Sequence, residues 1–286
     1  MQPFYLPSGD GQRFCIYHCA NQHEVRGAVL YVPPFAEEMN KSRRMAAKQA
    51  RQLAKSGYAV LQMDLLGCGD SSGDFGDASW SAWKEDVLLG YRWLRHKTAA
   101  PLTLWGLRAG CLLAAEAAVD LPERPNFIFW QPVLSGKQHW QQFMRLKMAG
   151  ELASGQAKGV SEQLKKDFAI GQAVEIAGYK ISPELARGLE AAESFPLEAN
   201  GARISMWGEL QGTQNSVEPN LAWFELSTRE NATLAPVSQK QIDHWKSAGY
   251  RVDALVVNGP AFWQTTEIED AEDLIAATQL ALELFR

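Results

Sequence analysis

The pentapeptide Gly106-Leu107-Arg108-Ala109-Gly110 places one long cationic side chain between two glycines. It follows an apolar segment, Pro101–Trp105, which predicts a strand, and precedes an alanine-rich segment, Cys111–Val119, which predicts a helix. Glycine allows the backbone to turn sharply between such elements. The guanidinium stays protonated and offers five donors but no lone pair, so it cannot attack a carbonyl carbon. It can bind a carboxylate or a phosphate through paired hydrogen bonds.

The elements around this turn indicate an α/β protein. Strand and helix patterns alternate from residue 27 to residue 134, which predicts a mostly parallel sheet with right-handed crossovers flanked by helices. A hairpin over Phe4–Tyr17 precedes them, with its turn at Ser8-Gly9-Asp10-Gly11. A helix is expected over Trp80–His96.

A second type of pattern covers residues 136–200, where strand signals vanish. Three helices are expected there, over Gln138–Leu152, Ser161–Ile170 and Pro183–Ala192. We interpret 136–200 as a helical cap inserted into a core formed by 1–135 and 201–286. After it, either Ile204–Trp207 or Leu221–Leu226 supplies the seventh sheet strand, and we favour the second.

The last part of the chain again alternates between strand and helix patterns, as the core does. A helix over Ser238–Ala248, the apolar strand Ala254–Val257 and an amphipathic helix over Glu267–Phe285 complete the pattern.

The composition excludes several classes of function. With 286 residues and 46% hydrophobic content, the chain can bury a full core. A net charge of -5 argues against nucleic acid or an anionic membrane as partner. We see neither a signal region nor a membrane-spanning run, so a cytoplasmic protein with no membrane insertion is expected.

The four cysteines fit reduced thiols in that compartment. On a strand, Cys15 and Cys19 share a face while His18 points the other way, so no metal site is expected there. The sequence predicts no cofactor.

Several motifs resemble those of the α/β-hydrolase superfamily. Arg108 occupies the serine position of the G-x-S-x-G nucleophile elbow. Asp64–Ser71 resembles the D-x-x-G-x-G-x-S loop after the fourth strand, and Pro33-Pro34-Phe35 takes the place of the His-Gly-x oxyanion loop. The resemblance implies an α/β-hydrolase fold with a helical cap.

A narrower resemblance is carried by five segments spread over nearly the whole chain. They are similar to the family called exosortase A system-associated hydrolase, type 2, and the arginine-bearing elbow is the most specific of them. This resemblance implies a bacterial protein encoded beside exopolysaccharide and protein-sorting genes, and it implies no known substrate. The segments are Val32–Asn40, Asp64–Phe75, Trp105–Gly110, Trp130–Leu134 and Gly259–Gln264.

The catalytic triad that the superfamily implies is not recovered from these residues. Glu209 and Glu230 are the nearest carboxylates for the acidic residue of the triad. Neither is the usual aspartate at the usual distance after the sixth or seventh strand. The histidine is expected in the loop after the last strand, Asn258–Glu267, which contains none. His244 falls inside a predicted helix.

Two cysteines are the alternative nucleophiles. Cys111 lies one helical turn beyond Arg108 and is expected to be buried, whereas Cys68 is expected at the mouth of the cleft and more accessible. We favour packing over catalysis for both, because a reactive thiol needs exposure and a cationic or basic neighbour.

Arg108 at a helix N-terminus needs an anion close by, because it cannot lose its proton. An internal ion pair with Glu37 or Glu38 is one solution. The other is a ligand carboxylate or phosphate held by Arg108 and the backbone amides of Phe35 and Ala109.

Trp130 and Trp263 each follow a strand at its carboxyl end, where ligands bind in open α/β sheets. They are either an aromatic wall for sugar or acyl groups or part of the core.

Three functions follow from this sequence. The first is a non-hydrolytic member of the fold that binds a small anionic molecule, or a protein partner, of the exosortase system. The second is an ester or thioester hydrolase in which Glu37, Glu38 or Glu230 orients a water against a substrate held by Arg108. The third is a structural protein whose cap and tryptophans form an interface. The first is our leading hypothesis.

Overall fold

The computed structural model describes residues 1–9, 11–22, 24–153, 160–194 and 218–285. Eight strands in this part of the chain form one sheet, and two short strands form a separate hairpin. The strands are β1 Gln2–Ser8, β2 Gly11–His18, β3 Gly27–Val32, β4 Tyr58–Met63, β5 Leu102–Leu107, β6 Asn126–Trp130, β7 Val174–Ile176, β8 Tyr179–Ile181, β9 Asn220–Ser227 and β10 Arg251–Asn258.

The large sheet has the order β1-β2-β4-β3-β5-β6-β9-β10. The pairs from β4 to β10 are all parallel, whereas β2 pairs antiparallel with both β1 and β4. The predicted mostly parallel sheet and the predicted N-terminal hairpin are therefore confirmed.

Helices cover both faces of this sheet. In the described residues they are α1 Glu37–Lys55, α2 Trp80–Lys97, α3 Ala109–Ala118, α4 Gly136–Ala153, α5 Val160–Ala169, α6 Pro183–Ala191, α7 Pro236–Ser247 and α8 Glu272–Leu284. No helix among these residues is both long enough and apolar enough to cross a bilayer.

Two apolar clusters form the core, one on each face of the sheet. Every residue of β3 and of β5 is buried, as expected for central parallel strands covered on both faces. The alternation of side chains sends Phe127 and Phe129 of β6 into one cluster and Ile128 and Trp130 into the other.

The seventh position of the sheet is taken by β9, which contains the favoured segment Leu221–Leu226 and lies between β6 and β10. Ile204–Trp207 lies outside the described residues. Helices α4, α5 and α6 occur where three cap helices are expected, but the proposed division into core and cap remains a prediction.

The hairpin β7–β8 was not foreseen, because each strand has only three residues. Its turn residues Ala177 and Gly178 both have positive φ, 50° and 83°, as a tight two-residue hairpin turn requires.

Candidate functional site

The turn at Arg108 is a sharp elbow between β5 and α3. Arg108 has φ 53° and ψ -122°, an uncommon backbone conformation for a residue with a side chain. A Cβ atom at Gly106 would lie 2.7 Å from the Cα atom of Cys111, and one at Gly110 would lie 2.6 Å from the carbonyl oxygen of Pro33. The two glycines therefore let α3 start directly against the loop that follows β3.

Two neighbouring turns share this strained geometry. Ala36 after β3 and Gln131 after β6 have φ 51° and 43°. Hydrogen bonds tie the turns together, because Arg108 donates its amide to the carbonyl of Trp130 at 3.0 Å and Gln131 donates to that of Phe224 at 2.6 Å. Strained residues of this kind cluster at functional sites, and here they surround one end of the sheet.

A cavity of about 330 Å³ opens above these turns. Its walls come from the β3–α1 loop, from α1, from the elbow, from α4 and from the loop after β10. The lining residues are Phe35, Glu37, Glu38, Lys41, Arg108, His139, Gln142, Phe143, Trp263 and Gln264.

Arg108 forms an ion pair inside this cavity. Its Nε donates to Oε1 of Glu38 at 3.2 Å, and Nη1 lies 3.5 Å from the carbonyl oxygen of Gln131. The guanidinium carbon lies 5.4 Å from the ring centroid of Trp263, within cation–π range. The hydrogen bonds found for this group in the described structure use Nε and Nη1, and none is found there for Nη2.

The internal carboxylate expected beside Arg108 is therefore Glu38. Burial raises the pKa of this carboxyl above its usual range, and the adjacent Arg108 partly opposes that effect. Its second oxygen, Oε2, is buried and has no partner among the described residues. Glu37 points elsewhere, since it accepts hydrogen bonds from the Tyr179 hydroxyl at 2.9 Å and from the Asn40 amide at 3.2 Å.

His139 is a cavity residue that sequence reasoning missed. It lies in the first turn of α4 and is only 6% exposed, and neither ring nitrogen has a hydrogen-bond partner in the described part of the chain. Burial, assisted by the positive charge of Arg108, lowers the pKa of this imidazole to about 3. The spacing of His139 and Phe143, four residues apart on one helix face, was the available signal.

The aromatic wall consists of Phe35, Phe143 and Trp263 rather than the expected pair of tryptophans. Trp130 belongs to the core, which is the other alternative for it, because this side chain is fully buried in the same cluster as Ile128. Its indole nitrogen donates to the Thr278 hydroxyl of α8 at 2.9 Å. Trp263 does line the cavity, from a turn five residues beyond the end of β10.

Of the other predicted site residues, some lie at the cavity and others do not. Ala109 is the first residue of α3, so its amide has no partner within the helix, and Phe35 lines the cavity. Glu230 is exposed in the turn after β9 and is not part of the cavity wall. Glu209 lies outside the described residues.

Residues 23–192 match the family model described as serine aminopeptidase, S33. The match covers more than half of the chain. The protein belongs to the serine aminopeptidase S33 family. Its fold is that of the α/β hydrolases.

Solved structures with this fold resemble the S33-family chain over its whole length. Est1E from Butyrivibrio proteoclasticus with bound ferulic acid has 12% identity and a TM-score of 0.58, covering 98% of this chain and 97% of that one. The α/β hydrolase GrgF from Penicillium sp. sh18 has 15% identity and a TM-score of 0.57, covering 99% and 98%. Mouse α/β hydrolase domain-containing protein 10 has 12% identity and a TM-score of 0.54, covering 100% of both chains. Among curated proteins, none is significantly similar to this sequence.

A member of the serine aminopeptidase S33 family is expected to attack with a serine, and the elbow of this chain carries Arg108 instead. Cys68 is 4% exposed, so the expectation that it is accessible at the cleft mouth is wrong. Burial raises the pKa of its thiol to about 12. Cys111 is fully buried, and burial raises the pKa of its thiol well above the usual range. Both cysteines are therefore packing residues, as favoured from the sequence.

Two serines near the glycine loop of this S33-family chain have structural partners. The Ser71 hydroxyl donates to the carbonyl of Asp64 and accepts from the amide of Phe14, and the Ser72 hydroxyl accepts from the amide of Gln12. No cluster of metal-ligating side chains occurs among residues covered by the structure.

Proposed function

We propose that this protein is a non-hydrolytic member of its family that binds a small anionic molecule in the Arg108 cavity. The observation that carries the proposal is the Arg108–Glu38 ion pair, which occupies the position from which a nucleophile would attack. A guanidinium with no lone pair and a loop after β10 with no histidine together leave the triad degenerate.

Rate arguments support binding over hydrolysis. Enzymes that lose their triad retain roughly a thousand- to ten-thousand-fold acceleration over water, which comes from the oxyanion hole and from binding. Working enzymes reach about a million-fold or more. His139 does not close this gap, since a base whose pKa is about 3 has little tendency to take a proton at neutral pH.

The lining of the cavity suits a small anion with an apolar part. Nη2 of Arg108 and the ammonium of Lys41 supply positive charge, and α1 and α3 both begin at the cavity. Helix N-termini favour negative charge through their free amides. Phe35, Phe143 and Trp263 offer a surface for an acyl chain or the face of a sugar or aromatic ring.

We propose that this binding function belongs to the exosortase and exopolysaccharide system of a bacterium, in which the protein would bind a small molecule or a protein partner. Support comes from the five sequence segments of the narrower family resemblance, which include the cavity-forming stretches Val32–Asn40 and Gly259–Gln264.

Calorimetry with small anions tests the proposal. We suggest inorganic phosphate, benzoate and ferulate, the last because Est1E was solved with ferulic acid. Arg108→Gln is expected to weaken the tightest of these by about tenfold or more, because charge-assisted hydrogen bonds are lost. Arg44→Gln is the matched control. Arg44 is also an arginine paired with a carboxylate, but its partner is Asp270 and it does not line the cavity. Absence of anion binding, or equal affinity in Arg108→Gln, would refute the proposal.

The second candidate is an ester or thioester hydrolase with non-standard groups. It is favoured by membership of the S33 family and by the presence of His139 in the same cavity as Arg108. Nitrophenyl and thioester substrates, assayed with Arg108→Ala, His139→Phe and Cys68→Ala, decide between the two. Turnover by the wild type that one of these variants abolishes would favour hydrolysis.

A further inference from the structure

Three buried polar atoms around the cavity have no hydrogen-bond partner among the described residues. They are Oε2 of Glu38 and the two ring nitrogens of His139. Buried polar groups in folded proteins are nearly always satisfied, and each exception needs an explanation. Both residues line the same cavity beside Arg108, so a ligand in that cavity is the common explanation.

The described surroundings of His139 provide no hydrogen-bond partner for the imidazole. Phe35 meets it edge to face, with ring centroids 6.2 Å apart and planes at 83°, and Phe35 also packs against Phe143 at 5.0 Å. The ring therefore lies among aromatic side chains. The same desolvation keeps it uncharged at neutral pH, and a neutral imidazole has one donor and one acceptor nitrogen.

The two carboxylate oxygens of Glu38 differ in their hydrogen bonding. Oε1 accepts from Nε of Arg108, which leaves Oε2 as a buried acceptor with no partner among the described residues. A hydroxyl group can donate to one neighbour and accept from another at the same time. It therefore suits a position between Oε2 of Glu38 and a donor nitrogen of His139.

We propose that the ligand of this cavity is a hydroxy acid, with its carboxylate on Arg108 and its hydroxyl between Glu38 and His139. This inference rests on the proposed anion-binding function of the same cavity and adds the chemical class of the ligand. The Arg108–Glu38 pair remains in place, since the ligand carboxylate uses Nη2 and the hydroxyl uses Oε2. The apolar part of the ligand packs between Phe35, Phe143 and Trp263.

Pairs of acids that differ by one hydroxyl test this class. We suggest mandelate against phenylacetate, 3-phenyllactate against 3-phenylpropionate, and 4-hydroxycinnamate against cinnamate, measured by calorimetry on the full chain at pH 7.5. The hydroxylated acid of at least one pair is expected to bind about tenfold more tightly, since its hydroxyl satisfies groups that otherwise stay unpaired.

Variants assign that preference to His139. His139→Phe removes the nitrogens while keeping an aromatic ring, and it is expected to reduce the preference to less than about twofold, mainly by weakening the hydroxy acid. Phe143→Leu is the control. It removes an aromatic neighbour on the same helix face and should weaken both acids of a pair equally.

The failures of the two proposals can be told apart. Binding of the acids by the wild type with no preference for the hydroxyl overturns the hydroxy-acid inference alone and needs no variant. A preference that survives in folded His139→Phe also overturns it. If the wild type binds none of the six acids, the hydroxy-acid inference falls, and the anion-binding function falls with it if inorganic phosphate also fails to bind.

Discussion

The guanidinium of Arg108 lies over the indole ring of Trp263, 5.4 Å from its centroid. Trp263 belongs to the loop after the last strand, where a catalytic histidine is expected in this superfamily. The elbow and this loop are therefore in contact. The contact is between a guanidinium and an aromatic ring, where the superfamily is expected to have a nucleophile beside a base. Trp263 is 4% exposed and so shields the Arg108–Glu38 pair from water on this side.

The Arg108–Glu38 pair is expected to be strongly coupled. In a double-mutant cycle with Arg108→Met and Glu38→Gln, we predict a coupling free energy of about 1–3 kcal/mol in urea unfolding, because either single change leaves a poorly solvated charge or amide without its partner. Side-chain exposures of 16% and 20% place both groups largely out of solvent.

The matched control cycle uses Arg44→Met and Asp270→Asn. Arg44 makes a two-bond contact with Asp270 at 2.8 Å, but its side chain is 56% exposed, so its coupling should be smaller and should weaken in salt. Equal coupling and equal salt dependence in the two cycles would contradict the prediction that the Arg108–Glu38 pair is the more strongly coupled one.

Restoring a serine at the elbow should not restore hydrolysis. Arg108→Ser supplies a hydroxyl, but the loop after β10 brings Trp263 rather than an imidazole, and burial holds His139 as a very weak base. Turnover of a nitrophenyl ester should stay within about tenfold of the wild type, because an unactivated serine is a poor nucleophile. A fluorophosphonate probe should label neither protein. Rapid labelling of Arg108→Ser would show that His139 or another base activates it.

The sequence was sufficient for the sheet, the elbow and the need for an anion beside Arg108, because these depend on local periodicity and on the fixed charge of one residue. It could not place His139, since a helix inserted far from the triad positions reaches the cavity only through tertiary packing. The two alternatives for Trp130, cavity wall and core, could have been separated by the strand pattern alone. Side chains alternate along a strand, and Trp130 follows Ile128 onto the α8 side.

The position of Cys68 depended on loop geometry that the glycine-rich sequence does not reveal. Consecutive turns fold the loop inward, with Cys68 donating to the carbonyl of Leu65 and accepting from the amide of Ser71. A glycine-rich segment indicates a turn, but it does not indicate which side chain the turn buries.

Only Cys19 should react with iodoacetamide in the folded protein at pH 8. Cys19 is half-buried, whereas Cys15, Cys68 and Cys111 are buried. A pKa of about 12 for Cys15 and for Cys68 leaves only about one thiolate in ten thousand at this pH. Mass spectrometry should find one adduct in the native state and four in urea. Cys19→Ser should abolish the native adduct, and a second native adduct at Cys68 would contradict the burial described here.

His139 should make the protein less stable as the pH falls. The unfolded chain binds a proton on this imidazole near pH 6.5, whereas the folded protein does so only near a pKa of about 3. The unfolded state therefore binds more protons between these values, and the free energy of unfolding decreases with falling pH by up to about 1.4 kcal/mol per pH unit.

Urea unfolding at several values between pH 7.5 and pH 4.5 measures this effect. His139→Phe should show a shallower slope than the wild type by up to about 1.4 kcal/mol per pH unit. His96→Phe changes an exposed histidine of α2 and should run parallel to the wild type. Parallel curves for His139→Phe would mean that the imidazole takes up its proton equally readily in the folded and unfolded states.

Gly110→Ala should destabilise the protein even though alanine is the better helix former. Its Cβ would approach the carbonyl oxygens of Val32 and Pro33, which belong to the backbone that leads from the end of β3 to the cavity-lining residue Phe35. We predict a loss of about 1–3 kcal/mol, typical of an added methyl group that forces the backbone to move. The matched control is Gly90→Ala in α2, where the nearest atom is the flexible end of the Leu30 side chain at 3.0 Å. That change should cost less, and the same unfolding measurement compares the two. A Gly110→Ala protein as stable as the wild type would show that α3 can withdraw from the β3 loop.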